Sequence, residues 1–188
     1  MAQEGYKYLT TYKLSVLIYD LTVVFCDRFL SFNSPKFPNF PKIPNSRTVD
    51  QMVQAGRSGK QNIAEGYSQG TSLKGYIKLL GIAKGSIQEL LEDYEDFLRQ
   101  RNLPLWGKEE EKVRVFREFR VDWVSENTLN SPISLINPQD PTAFANLLVT
   151  LCRQELFLMV KQINSLEEKF VKEGGWSENL FMKRLGNR

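Results

Sequence analysis

The chain has no histidine among its 188 residues. That removes the commonest general base and the commonest metal ligand. With only two cysteines, Cys26 and Cys152, no zinc site of ordinary ligand spacing can be assembled. Ser-His-Asp and Cys-His arrangements are likewise excluded within one chain. Two cysteines are too few for a small secreted disulfide scaffold. Both fall within apolar helical patterns and read as buried thiols in a reducing compartment. No uncharged apolar run reaches 18 residues, so no membrane span is predicted. The N-terminus has no basic segment leading into an apolar stretch, so no signal peptide is expected and the cytoplasm is the expected compartment.

The rest of the composition is that of an ordinary folded protein, with 41% hydrophobic and 25% charged residues. The length suits one domain with a substantial core. The net charge is only +3, but it is unevenly spread. Residues 1–88 carry eleven Lys/Arg against five Asp/Glu. Residues 89–96 then bring Glu89, Glu92, Asp93, Glu95 and Asp96 with no base. A basic region followed by an acidic one is therefore expected.

Apolar residues recur at three- and four-residue spacing over four long stretches, which predicts an all-α fold with helices at about 8–32, 48–67, 72–101 and 142–172. The third has the cleanest stripe, from Leu73 through Leu80, Ile87 and Tyr94 to Leu98. Ser46 or Thr48 is the candidate cap of the second helix, and Thr71 or Ser72 that of the third. The short turn between these two makes them antiparallel neighbours. Residues 33–45, with four prolines in thirteen positions, form a loop. Its Phe37, Phe40 and Ile43 recur every three residues and read as a surface ridge or a docking site. A mixed-charge helix is expected over 108–129, a loop over 130–141, and a basic tail after Gly174-Gly175 held by Trp176 and Phe181.

Gly56, Gly59, Gly81 and Gly85 stand inside the second and third helices, and Gly66 stands at the end of the second. A mid-helix glycine costs about 1 kcal/mol relative to alanine. Its retention points to close approach of backbones, or to something docked against bare backbone.

The run RSGKQNIAEG (57–66), then Tyr76, then IAKGSIQEL (82–90), resembles a family of four-helix-bundle proteins. That family includes the proteins encoded in intervening sequences of large-subunit ribosomal RNA and the accessory protein of diversity-generating retroelements. Further segments are IYDLTVVFCDRFL (18–30), LLEDYEDFLRQRNLPLW (90–106) and FVKEGGWSENLFMKRL (170–185). With these the chain is similar to a longer subfamily bearing a C-terminal suffix. The resemblance implies an antiparallel up-down four-helix bundle, a helical insertion at 107–141 and a suffix at 173–188. It also implies a homo-oligomer, a pentamer in relatives, with a basic surface that binds nucleic acid beside a reverse transcriptase.

Arg57, Lys60, Lys74, Lys78 and Lys84 are the candidate phosphate contacts, the alternative being a solvated basic face. Tyr67 and Tyr76 are candidates for stacking on bases or for the interior. Asn62 and Glu65, with Gly56, Gly59, Gly66, Gly81 and Gly85, are candidate structural or interface residues. The acids of 89–96 partly share a helical face, but the Glu-x-x-His pairs of a di-iron bundle are impossible here, so they read as a solvated face or as partners of a neighbouring subunit. No catalytic residue, metal or cofactor is assigned. The expected function is a non-enzymatic nucleic-acid-binding accessory or scaffold. The alternative is a protein-interaction adaptor for a partner such as a reverse transcriptase.

Overall fold

A computed structural model describes residues 5–30, 46–69, 72–118 and 130–186. The described residues are all-α. A single 3₁₀ turn, Gly5–Tyr8, precedes α1 (Thr10–Phe29). Then come α2 (Ser46–Ser68), α3 (Leu73–Gln100), α4 (Glu111–Glu118) and α5 (Asn130–Ile133). The chain closes with α6 (Pro141–Glu173) and α7 (Trp176–Gly186). The four long helices fall on the four predicted stretches, with α1 shorter than the 8–32 expected: Tyr8 lies in the 3₁₀ turn and Leu30 caps the helix. The loop 33–45 with Phe37, Phe40 and Ile43 lies outside the described residues, as do Thr71 and residues 119–129.

Local chemistry sets the helix ends. Ser72 caps α3, its hydroxyl accepting from the Gly75 N–H at 3.1 Å. Asp140 caps α6 by accepting from the Thr142 N–H at 2.9 Å, and Pro141 occupies the first turn, where its missing N–H is not needed. Gly174 ends α6 with φ of +70°, a conformation that side chains resist. The Gly175 N–H then donates to Glu178 Oε2 at 2.8 Å and starts α7.

α2 packs on α1 and α3, and α6 packs on the same two helices. Their shared core is aliphatic along most of its length, with Leu17, Ile18, Leu21, Ile63, Leu80, Ile87, Leu148 and Leu151 fully buried. At one end it turns aromatic. Phe25 meets Tyr94, Phe97 and Phe144 with ring centroids 5.2, 4.8 and 5.8 Å away, all edge-on. The Tyr94 hydroxyl, wholly buried, donates to Thr22 Oγ1 at 2.7 Å, and Thr22 in turn donates to the Ile18 carbonyl. Cys26 and Cys152 are both buried in this core and unbonded.

α6 holds an 18-residue window apolar enough to cross a membrane by length and composition, yet 67% of that window is buried inside the protein. A core helix with neighbours on several sides has the same composition.

Three sequence expectations are corrected. The mixed-charge helix predicted over 108–129 is helical over Glu111–Glu118 among the described residues, with Lys108–Glu110 in a turn. Its Val113 and Phe116 are buried, and Phe116 stacks on Trp106 at 6.2 Å. The stretch 130–141 starts with the helical turn of α5 before the predicted loop. The tail after Gly175 is a helix, and Phe181 does not anchor it, being 61% exposed. The Trp176 side chain lies outside the described residues.

Candidate nucleic-acid interface

α2 is a helix whose inner face is made of small residues. Ala55, Gly56, Gly59 and Gly66 are buried there beside Met52 and Ile63. A Cβ built on Gly59 would stand 2.8 Å from Ile87 Cδ1, and one on Gly66 2.7 Å from the Tyr76 ring. On Gly56 it would touch Tyr19 at 3.4 Å. Gly59 and Gly66 therefore let α2 approach α3 closely, while a methyl on Gly56 would meet α1 at ordinary contact distance. Gly81 and Gly85 behave differently: both are exposed, and a Cβ at either would find no described atom within 4 Å. Helix packing among the described residues does not explain them.

Asn62 is spent on local structure, its Nδ2 donating to the Ser58 carbonyl at 2.9 Å. Ser58 in turn meets Ser86 of α3, hydroxyl to hydroxyl, at 2.9 Å. Glu65 is exposed, and its carboxylate has no hydrogen bond or ion pair among the described residues.

The five candidate cations do not form one patch. Lys60 turns toward α1, its Nζ 3.9 Å from the centre of the Tyr19 ring. It also lowers the pKa of Asp20, though burial outweighs this and leaves that carboxyl raised. Arg57 is exposed on α2. Lys74 and Lys78, one turn apart, share the outer face of α3. Lys84 is exposed too, but six residues beyond Lys78, which rotates it about a third of a turn away. None of Arg57, Lys74, Lys78 and Lys84 is ion-paired among the described residues.

Tyr67 and Tyr76 meet edge-on at 6.2 Å and are both half-buried. The Tyr76 hydroxyl accepts from Gln162 Nε2 at 2.6 Å, while Gln162 Oε1 accepts from Thr11. Burial pushes the Tyr76 phenol up to about 12, against the lowering effect of that hydrogen bond. This ring is part of the α3–α6 seam, and it is not presented for base stacking.

Two of the acids, Glu89 and Asp93, line a groove between the first half of α2 and the second half of α3. Its volume is about 760 Å³, and Arg47, Asp50, Gln54, Ser58, Glu89 and Asp93 line it. Ala55, Ser58 and Ser86 leave it open because they are too small to fill the space between the helices. Asp93 is half-buried, and its pKa rises to about 6, first from desolvation and then from Asp96, Glu89 and Glu92. Glu95 pairs with Arg153 of α6 at 2.8 Å, and Asp96 with Arg99 at 2.7 Å. Among the described residues no three acids or thiols converge closely enough to hold a metal ion.

Among the buried polar residues that escaped the sequence reading, Asn146 and Glu155 stand out. Asn146 ties the 101–107 strap to α6: it accepts from the Trp106 N–H at 2.8 Å and donates to the Pro104 carbonyl at 3.0 Å. Glu155 is wholly buried, and neither carboxyl oxygen has a hydrogen-bond partner among the described residues. Glu155 sits four residues from Leu151 and Met159, and Asn146 three from Ala143 and Val149, which is the signal that spacing offered.

No protein-family model matches the chain, and no curated protein or solved structure matches it.

Proposed function

We propose that this protein is a non-enzymatic, homo-oligomeric four-helix bundle that binds nucleic acid through a basic surface, as a cytoplasmic accessory or scaffold. The bundle would be antiparallel and up-down. In support, the contacts Gly59–Ile87 and Gly66–Tyr76 step in opposite directions along α2 and α3, as do Phe25–Phe144 and Thr11–Gln162 along α1 and α6. The observation that carries the binding reading is the set of exposed cations, Arg57, Lys74, Lys78 and Lys84, without acid partners among the described residues. A lysine held in no ion pair gives up nothing but counterions when it meets a phosphate. The sequence resemblance supports the same reading and points to five subunits, in which the Lys74–Lys78 pair and the separate cations would be repeated around a ring.

Fluorescence anisotropy with a structured RNA and a random DNA duplex, from 50 to 300 mM salt, tests it. Affinity should fall steeply with salt. Lys74→Glu with Lys78→Glu should weaken binding to every sequence. On a duplex it should lower the salt slope by about 0.9 for each phosphate that is no longer neutralised. No binding at 50 mM salt would remove nucleic acid as a ligand.

A second reading has one specific observation behind it. α7 exposes Phe181, Met182 and Leu185 beside Lys183 and Arg184. Such a face suits an adaptor that docks a protein partner, a reverse transcriptase being the kind the resemblance suggests. Capture of that enzyme that survives high salt and is lost on removing residues 174–188 would favour it.

A further inference from the structure

The outer crest of α3 carries its charges in a mirror arrangement. Lys74, Lys78, Gly81, Gly85, Gln88 and Glu92 follow one another at steps of four and three residues, so they occupy one face. All six are exposed. The series reads the same spacing from either end and is centred at Ala83. Lys74 and Glu92 each stand nine residues from that centre, about 13 Å along the axis. Lys78 and Gln88 each stand five residues away, with Glu89 next to Gln88. One half of the crest is thus basic and the other acidic, with bare glycine between.

We infer that this crest is a two-fold contact with a second copy of the chain, α3 against α3 in antiparallel register. In that register Lys74 of each copy faces Glu92 of the other, and Lys78 faces Gln88 and Glu89. Gly81 falls opposite Gly85, so the two backbones meet where neither has a side chain. Ile82, 45% exposed on the flank of the crest, is covered beside the crossing. Self-complementarity of this kind is what an isologous interface requires, since residue i must meet j while j meets i. The charges fix register and orientation, and a parallel approach would set lysine against lysine. Of the crest charges, Lys74 and Lys78 have no ion pair among the described residues, and Glu92 only accepts a hydrogen bond from Gln88 at 3.1 Å.

The inference rests on the reading of the chain as a homo-oligomer and names one contact within it. A two-fold contact is not the one that closes a five-membered ring. In such an assembly it would join two rings. It also competes with phosphate for Lys74 and Lys78.

Molar mass in solution, by light scattering and sedimentation without nucleic acid, provides the test. One variant carries Lys74→Glu and Lys78→Glu, making the whole crest acidic; another carries Glu89→Lys and Glu92→Lys, making it basic. Each should halve the mass of the assembly and weaken association on the order of tenfold or more. Mixed together, the two variants should restore the full mass, because every facing pair is again opposite in sign. A third variant, Gly81→Leu with Gly85→Leu, should halve the mass with no change of charge. Circular dichroism verifies that each variant is folded. An assembly whose mass none of the variants changes overturns the α3 contact while leaving the oligomer reading standing. A monomeric wild type overturns both. The Glu89→Lys, Glu92→Lys variant separates this contact from nucleic-acid binding, since it should lose the two-fold contact while keeping or strengthening its affinity for a polyanion.

Discussion

Glu155 is the residue at which this fold conflicts most with elementary electrostatics. It sits on the core stripe of α6 between Leu151 and Met159, wholly buried and without a partner for either oxygen among the described residues. Desolvation holds its pKa well above the ordinary 4.5, so the folded protein keeps it neutral. An acid whose pKa is raised by folding binds its proton more tightly in the fold than in the unfolded chain. The unfolded chain therefore ionises first as pH rises, and stability falls from about pH 4.5 upward. The loss is about 1.4 kcal/mol for each pH unit until Glu155 itself ionises in the fold. Glu155→Met should accordingly stabilise the protein by about 2 kcal/mol or more at pH 7.5, with a smaller gain at pH 4.5. Urea titrations at the two pH values measure this, and equal gains at both would show that Glu155 does not carry the pH dependence. The cysteines give a second prediction at this scale. Burial pushes the Cys26 thiol up to about 12 and Cys152 higher still. Thiolate is the reactive form, so a disulfide reagent at pH 8 should modify neither in the folded protein and both after unfolding. Rapid reaction of the folded chain would mean that the core opens around them.

At the scale of elements, the glycines separate into two groups that sequence alone could not distinguish. Spacing showed that all five interrupt or end good helices, but spacing cannot say which face a partner occupies. Gly59 and Gly66 fill seams against Ile87 and Tyr76. The Tyr76 ring is held by Gln162 and cannot swing aside freely. Gly66→Ala should then cost about 1–3 kcal/mol through overpacking, despite the better helix propensity. Gly81→Ala and Gly85→Ala meet open space, so each should stabilise the isolated subunit by up to about 1 kcal/mol. Chemical denaturation of the three single variants at low protein concentration compares them, and a destabilising Gly81→Ala would mean that the crest is already filled within the subunit. The four long helices were legible because their stripes are long and regular, above all in α3 from Leu80 to Leu98. The start of α4 was placed three residues early, because Glu109, Glu110 and Glu111 all suit a first helical turn and only the folded chain puts Lys108–Glu110 in a turn. α7 was missed because eleven residues after Gly174-Gly175 carry too short a pattern to separate a helix from a tail. The candidate cations were all legible as cations. That Lys60 leans on Tyr19, and that Lys84 points away from Lys78, depended on helix rotation and on a neighbouring helix. The Asp93 groove was missed altogether, because a groove is made by what small residues leave unfilled.

For the whole molecule, the question is which parts the core needs. α1, α2, α3 and α6 bury the aliphatic and aromatic centre, and α4 adds Val113 and Phe116 against α6. The last turns of α6 and all of α7 contribute no buried side chain among the described residues. Val171 is 83% exposed, and Phe181, Met182 and Leu185 all lie open. Removing residues 174–188 should therefore leave the melting temperature within about 3 °C of the full chain, because little apolar area is lost from the core. It should also leave slow amide exchange in α1 and α3 unchanged, since those amides exchange by global opening. The same truncation weighs the two functional readings against each other. It removes Lys183, Arg184 and Arg188 but none of Arg57, Lys74, Lys78 and Lys84. If nucleic acid binds the α2–α3 side, affinity should fall only slightly and the salt slope should stay near its full value, because the phosphates counted by the slope are those met by the retained cations. If α7 is the docking element of an adaptor, the truncated chain keeps its fold and its mass but no longer holds its protein partner. A truncation that lowers the melting temperature by about 10 °C or more would instead make α7 a structural part of the subunit. Its apolar face would then be covered within the assembly rather than by a foreign protein.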